Sequence, residues 1–199
     1  MRGERFGKMV YESFRGIQTT SDPASSEHIS IVSIKDISGG KINFNNLREE
    51  QYTIPEAKIR QNLRERDLII SLRGTSFKAA VFEAPLSHTN YHKLVTRCYL
   101  DENLAGFRLR FENSKLIAAY LNSPAGQQYL DQMSTGSRVK SLSVKNIENM
   151  RIPLPPYELQ QELIRFLNAS EELLQNIEVE KQTAILVCNS VIEKYMEDY

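Results

Sequence analysis

From Pro156 onward the apolar residues recur at steps of three and four: Leu163, Phe166 and Leu167, Leu173 and Leu174, Ile177, Ile185, Cys188, Ile192, then Tyr195 and Met196. That period marks one face of an α-helix; Ser170, Lys181 and Ala184 fill intervening seam positions, so the stripe is continuous but imperfect. About 40 helical residues extend roughly 60 Å, more than a domain of this size covers with its own surface. The helix is expected to pack on a partner; the alternative is that it wraps back on the rest of the chain. The preceding cluster Ile152-Pro-Leu-Pro-Pro156 reads as a boundary, because proline removes a helical donor and clashes with the turn before it. Two parts are therefore expected, a mixed α/β (α+β) globular body over residues 1–155 and one long helix over 156–199.

Charge divides at the same place. The net charge of zero combines 22 Lys+Arg against 16 Asp+Glu in residues 1–155 with 3 against 9 in residues 156–199. A basic body can meet polyanions and an acidic helix is repelled by them, so the two parts are expected to face different partners; chance scatter over a solvated surface is the plainer alternative. No run of 18 apolar residues occurs, and MRGERFGKMV lacks the apolar core of a secretory signal, which argues against a membrane-spanning or exported protein. Cys98 and Cys188, ninety residues apart, form no metal-type spacing or disulfide framework and suit a reducing, cytoplasmic setting.

Within the body, the apolar pattern of His28–Ile34 reads as a strand ending at the turn Ser38-Gly39-Gly40. Asp67–Arg73 and Lys78–Glu83 are β-prone runs joined by Gly74-Thr-Ser-Phe77, a hairpin with polar residues at its tip. In Leu104–Phe111 the apolar Phe107, Leu109 and Phe111 alternate with Arg108 and Arg110, which predicts a strand with both arginines on one wet face; pairing with Glu112 and Asp101 is the favoured reading, and a face that contacts a polyanion backbone the alternative. Asn113-Ser114 is placed to cap a helix over 115–121, and Ser123-Pro124 restarts one running to about Met133. Ser134-Thr-Gly136 breaks it, Val139–Leu142 is a short extended piece, and Ser143 can cap a last turn over 144–148.

Four stretches in this order carry a family resemblance: Asp67-Leu-Ile-Ile-Ser-Leu-Arg-Gly-Thr-Ser-Phe-Lys-Ala-Ala-Val81, then Ala119-Tyr-Leu-Asn-Ser123, then Gly136-Ser-Arg-Val-Lys-Ser-Leu142, and finally Ile152-Pro-Leu-Pro-Pro-Tyr-Glu-Leu-Gln160 leading to Leu163. Together they resemble the specificity subunit of type I restriction-modification systems, with one departure, Phe77 where the family often has a second glycine. The resemblance implies a non-catalytic DNA target-recognition domain followed by a conserved-region helix. Full-length members carry two of each, whereas one of each is read here. The implied assembly is a homodimer of half-subunits whose helices pair as an antiparallel coiled coil through Leu163, Leu167, Leu174, Ile177, Ile185 and Ile192. The implied partners are double-stranded DNA, an adenine-methyltransferase (modification) subunit and a restriction or motor subunit. S-adenosylmethionine and ATP with Mg are implied only for those partner subunits, and no cofactor for this chain.

No reaction is written in the sequence. Leu154-Pro-Pro-Tyr157 resembles the Asn/Asp-Pro-Pro-Tyr motif of adenine methyltransferases, but leucine accepts no hydrogen bond and no glycine-rich cofactor loop precedes it. Asp36 with Glu56-Ala-Lys58 lacks the Pro-Asp half of a nuclease metal site, and His88, His92 and Cys98 match no common zinc spacing. Nothing near Cys98 suggests an activated thiolate. DNA contacts call for cations and hydroxyls that position the protein, and for side chains able to reach base edges. Two loops supply them, with Arg73, Thr75, Ser76 and Lys78 in the first and Arg138 and Lys140 in the second; solvated turns are the alternative for each. Arg15-Gly-Ile-Gln-Thr-Thr20 is a third candidate. The competing function is a coiled-coil adaptor whose basic body binds another protein.

Overall fold

A computed structural model describes residues 3–18, 27–45, 47–86, 88–111 and 113–197, with side chains described as far as Cys188. These fall into two compact units divided between Leu154 and Pro155.

The first unit opens with β1 (Glu4–Arg5), the single turn α1 (Phe6–Met9) and β2 (Val10–Arg15). Next come β3 (His28–Val32), the small hairpin of β4 (Ile37–Ser38) and β5 (Lys41–Ile42), and β6 (Arg48–Gln51). β7 (Leu68–Ser71), β8 (Arg73–Gly74) and β9 (Ala79–Val81) follow; after α2 (Tyr91–Thr96) come β10 (Cys98–Leu100) and β11 (Leu104–Leu109). The unit closes with α3 (Ser114–Asn122), α4 (Pro124–Met133), β12 (Lys140–Ser141), α5 (Val144–Asn149) and β13 (Arg151–Ile152), the last paired antiparallel with β1.

Two sheets stack through a shared core. The four-stranded antiparallel sheet runs in the order β2-β11-β7-β9, and a three-stranded sheet in the order β10-β3-β6, with β10 parallel to β3. Alternate residues of each strand enter different cores, as the twofold strand period requires. Leu68 and Ile70 of β7, with Phe107 of β11, pack under Ile117, Leu121 and Leu130 of the helices. Ile69 of β7, Ala80 of β9 and Leu104 of β11 face Val32, Cys98 and Leu100 of the other sheet. Ile29, Ile31 and Tyr99 form a third cluster on that sheet's far side. Strands covered on both faces carry continuous apolar runs, which is why Leu68-Ile-Ile70 shows no alternation.

Arg108 and Phe111 correct the expected wet face of β11. Arg108 is only 2% exposed and Phe111 is 65% exposed. Alternation in this stretch suggests one solvated face, but the segment from Arg60 to Asp67 closes over Arg108, which donates to the carbonyls of Arg60 and Asn62 and to Asp67. The strand ends at Leu109, where the pairing with β2 is irregular. Of the expected ion-pair partners, Asp101 does not pair with Arg108, and Glu112 lies outside the described residues. The helix starts follow local chemistry: Ser123 accepts from Gly126 N with Pro124 at the first position, and Ser143 accepts from Asn146 N. At α3 no side-chain cap forms, and the Ser114 hydroxyl donates to Arg66 O instead (2.7 Å).

The second unit is a single helix, α6 (Tyr157–Glu197), of 41 residues. Among the described residues no helix is long and apolar enough to cross a membrane.

Candidate nucleic-acid interface

Pairing register puts one set of loops at one end of the four-stranded sheet. Ala105 opposes Arg15, Leu104 opposes Ser71, and Ile70 opposes Ala79, so the end of β2, the start of β11, the end of β7 and the start of β9 lie together. Leu72 N donates to Asn103 O (2.7 Å) and Gly16 N to Leu104 O (2.9 Å), which ties the turns there side by side. The loop after α4 joins them through a short ladder in which Lys140 opposes Gly74 and Ser141 opposes Arg73. Leu142 N extends the ladder to Leu72 O (2.9 Å). Two loops far apart in sequence therefore stand beside each other.

Both loops are held by their glycines. Gly74 (φ +151°) has Ser76 O 2.7 Å from where a Cβ would sit, and Gly136 (φ +96°) has Val139 O at 2.4 Å, so neither site accommodates a side chain without rearrangement. Phe77, the departure from the family pattern, is buried among Leu72, Leu130 and Leu142 and anchors the first loop in the core. Gln127 of α4 fixes it further: its amide donates to Phe77 O (2.8 Å) and its carbonyl oxygen accepts from Phe77 N (3.2 Å). Asn122 of α3 does the same for Ala79, accepting from its N (3.0 Å) and donating to its O (2.8 Å). Sequence reasoning overlooked both amides, because a polar residue on a helix carries no local sign of which loop it will hold.

The six candidate side chains divide into two groups. Arg73, Thr75, Ser76 and Arg138 are exposed, and neither arginine has an ion-pair partner among the described residues. Lys140 Nζ lies 2.6 Å from Asp131 Oδ2, so its charge is offset locally. Lys78 is not free at the tip: its Nζ donates to Ile34 O (3.0 Å) and Ile37 O (2.6 Å). Val139 adds an exposed apolar side chain between Arg138 and Lys140. In the third candidate segment, Arg15 Nε donates to Glu102 O (3.0 Å) and Ile17 is buried, while Thr19 and Thr20 lie outside the described residues.

The opposite end of the sheet holds a buried charge network. Arg108 lies 4.8 Å above the Phe14 ring and donates to Glu12 (2.6 Å), Asp67 (3.3 Å) and the carbonyls of Arg60 (3.0 Å) and Asn62 (2.6 Å). Burial pushes the Asp67 carboxyl up to about 6, against the lowering pull of Arg64 N–H and of Arg108. Cys98 is fully buried, and burial together with the Asp36 charge pushes its thiol far up, leaving a structural thiol rather than a nucleophile.

On α6, Leu174 is 65% and Ile177 52% exposed, Ile185 is also exposed, and Leu163 and Leu167 are half-buried. The side chain of Ile192 lies outside the described residues.

The body is thus a two-sheet unit with polar loops gathered at one sheet end, followed in sequence by a helix bearing an apolar row. The chain belongs to the family of Type I restriction modification DNA specificity domains, whose pattern matches residues 17–186, and this family is a recognition and not a catalytic one. The chain is 22% identical over 168 residues to the Type I restriction enzyme EcoBI specificity subunit of Escherichia coli, covering 84% of this chain and 34% of that protein. It thus spans about a third of that relative's length. Two solved structures share its fold. The S subunit of the type I restriction-modification system from M. genitalium matches with a TM-score of 0.52 at 11% identity, over 87% of this chain and 39% of that one. The HsdS subunit from Thermoanaerobacter tengcongensis matches with a TM-score of 0.52 at 18% identity, over 89% and 38%.

Proposed function

We propose that this chain reads DNA sequence for a type I restriction-modification system, using the sheet end that carries Arg73, Thr75, Ser76, Arg138 and Lys140. The β8–β12 ladder is the observation that carries the reading. It joins two hydroxyl- and cation-bearing loops into one exposed surface, and glycine geometry and core-anchored Phe77 hold that surface rigid. Arginine and lysine supply sequence-independent attraction to phosphates, and short hydroxyls reach base edges only when such a rigid tip enters a groove.

In this reading α6 pairs antiparallel with the helix of a second copy, through the row from Leu163 to Ile192, and the dimer docks an adenine-methyltransferase subunit and a restriction or motor subunit. Exposed apolar side chains repeated along one helix favour an interface, since burying each removes apolar surface from water.

Titration with duplex DNA at several salt concentrations tests the reading. A DNA reader loses affinity steeply with salt and prefers its target over competitor DNA. Flat salt dependence with no preference would leave a protein-binding adaptor as the better account.

A further inference from the structure

Lys78 sits beside the proposed DNA surface, yet its ammonium is engaged elsewhere. Two of its three donors are committed to backbone carbonyls, Ile34 O at 3.0 Å and Ile37 O at 2.6 Å. Those carbonyls belong to a corner that closes on itself. Ile37 N also donates to Ile34 O, ending the 3-10 turn Ile34–Asp36, and Asp36 Oδ2 accepts from Ser33 N (2.8 Å) and Ser33 Oγ (2.7 Å) at its start. The β4–β5 hairpin leaves directly from this corner. Ile37 and Ile42 oppose each other across it and bury their side chains in the core between the sheets. The turn is made by Gly39 (φ +57°) and Gly40 (φ +80°). A Cβ on Gly39 would meet nothing within 4 Å, so the tip is open, whereas one on Gly40 would lie 3.4 Å from Asn122 Nδ2. That same amide donates to Ala79 O, at the root of the Arg73–Lys78 loop.

We propose that Lys78 is a positioning residue that lashes the β4–β5 hairpin to the root of the recognition loop, so that Ser38-Gly39-Gly40-Lys41 forms a further DNA-facing element beside Thr75 and Ser76. The assignment rests on the DNA reading above and deepens it. Its physical content is a division of labour. A lysine that meets phosphate keeps its ammonium in water and acts through charge, whereas one bonded to two carbonyls sets the spacing of two backbone segments. Base reading depends on that spacing, and attraction to phosphate does not.

Lys78→Met keeps the length and apolar stem of the side chain and removes the donors. With the intact chain binding its target selectively, the variant is expected to lose about tenfold in target-over-random preference, the scale of one misread base pair, with the salt slope unchanged. A slope lower by about one unit would make Lys78 a phosphate contact and overturn the assignment. Unchanged preference and slope would overturn it as well. A second measurement leaves Lys78 intact. An iron-chelate cleavage probe on Ser38→Cys is expected to cut DNA within the same half-site as the probe on Thr75→Cys, and cutting from 75 without cutting from 38 overturns the assignment even where Lys78→Met fails to fold. A wild-type chain without selective, salt-dependent binding would overturn the DNA reading itself, a result distinct from selective wild-type binding that is indifferent to position 78.

Discussion

Arg108 lies within β11 and Arg73 within β8, but their surroundings give them opposite roles. Arg108 is enclosed with Glu12, Asp67 and two carbonyls, and removing one partner of such a group strands the others in a dry site. Arg108→Met is therefore expected to cost about 3–5 kcal/mol in urea unfolding. Adding Asp67→Asn should return part of that loss, because the uncompensated carboxylate goes with it. Asp67 also sets a pH dependence. Native Asp67 holds its proton up to about pH 6, whereas the unfolded chain releases it near 4. The native state binds more protons in that window, so this group's contribution to stability falls as pH rises from about 4 to about 6 and stays level above it. Comparing urea midpoints across pH, wild type should show this extra decline relative to Asp67→Asn. Arg73 and Arg138, by contrast, are exposed, and Arg73→Ala and Arg138→Ala are each expected to lower the salt slope of DNA binding by about one unit with little change in stability. Equal slopes for wild type and both variants would move the interface elsewhere.

Helix α6 has 41 residues and exposes Leu173, Leu174 and Ile177 in succession. Helices of this length owe most of their stability to a packed apolar face rather than to propensity. A paired helix should therefore fail at one point. Ile177→Asp is expected to convert a sedimenting dimer to monomer at micromolar concentration, by placing an unpaired carboxylate in the seam. Ending the chain after Ser170 should likewise leave a monomeric body with weaker DNA binding, because linked half-site contacts act at high effective concentration and separate ones do not. A monomer for the intact chain would remove the dimer from the account. The short elements follow a different rule. β8 and β12 have two residues each and persist because Phe77 and Gln127 fix the first loop, while the paired backbone bonds of Thr135 and Ser141 and the turn at Gly136 fix the second.

Two identical bodies related by a twofold axis read identical half-sites in inverted orientation, so the proposed dimer predicts an interrupted palindrome as its target. The helix pair would set the gap. Deleting seven residues from the middle of α6 keeps the apolar seam in register and shortens the rod by about 10 Å, equivalent to roughly three base pairs. Selection from a random DNA pool is expected to return the same half-sites with a correspondingly shorter gap for the shortened protein. A single contiguous, non-palindromic motif from the wild type would refute the symmetric arrangement.

Several features were legible in the residues themselves because their causes are local. The three-and-four apolar step after Pro156 and the proline cluster mark a long helix and its boundary. The Gly74–Phe77 turn between two β-prone runs marks a hairpin, and Ser123 and Ser143 mark helix starts. Order along the chain also carried the family resemblance, which the matched span of residues 17–186 bears out. What the sequence left open depends on which element covers which. Arg108 reads as a surface residue until the segment from Arg60 to Asp67 lies over it. Lys78 and Lys140 read like Arg73 until Ile34, Ile37 and Asp131 stand within bonding distance. Strand β2 was not read at all, and register with β11 is what brings Arg15 to the same sheet end as Arg73. Backbone propensity and side-chain period act over a few residues and survive in a one-dimensional pattern. Whether a charge is free, paired or enclosed is decided by contacts that the local pattern does not carry, which for Lys78 and Arg108 come from residues 41 to 96 positions away, and only the folded chain brings those within reach.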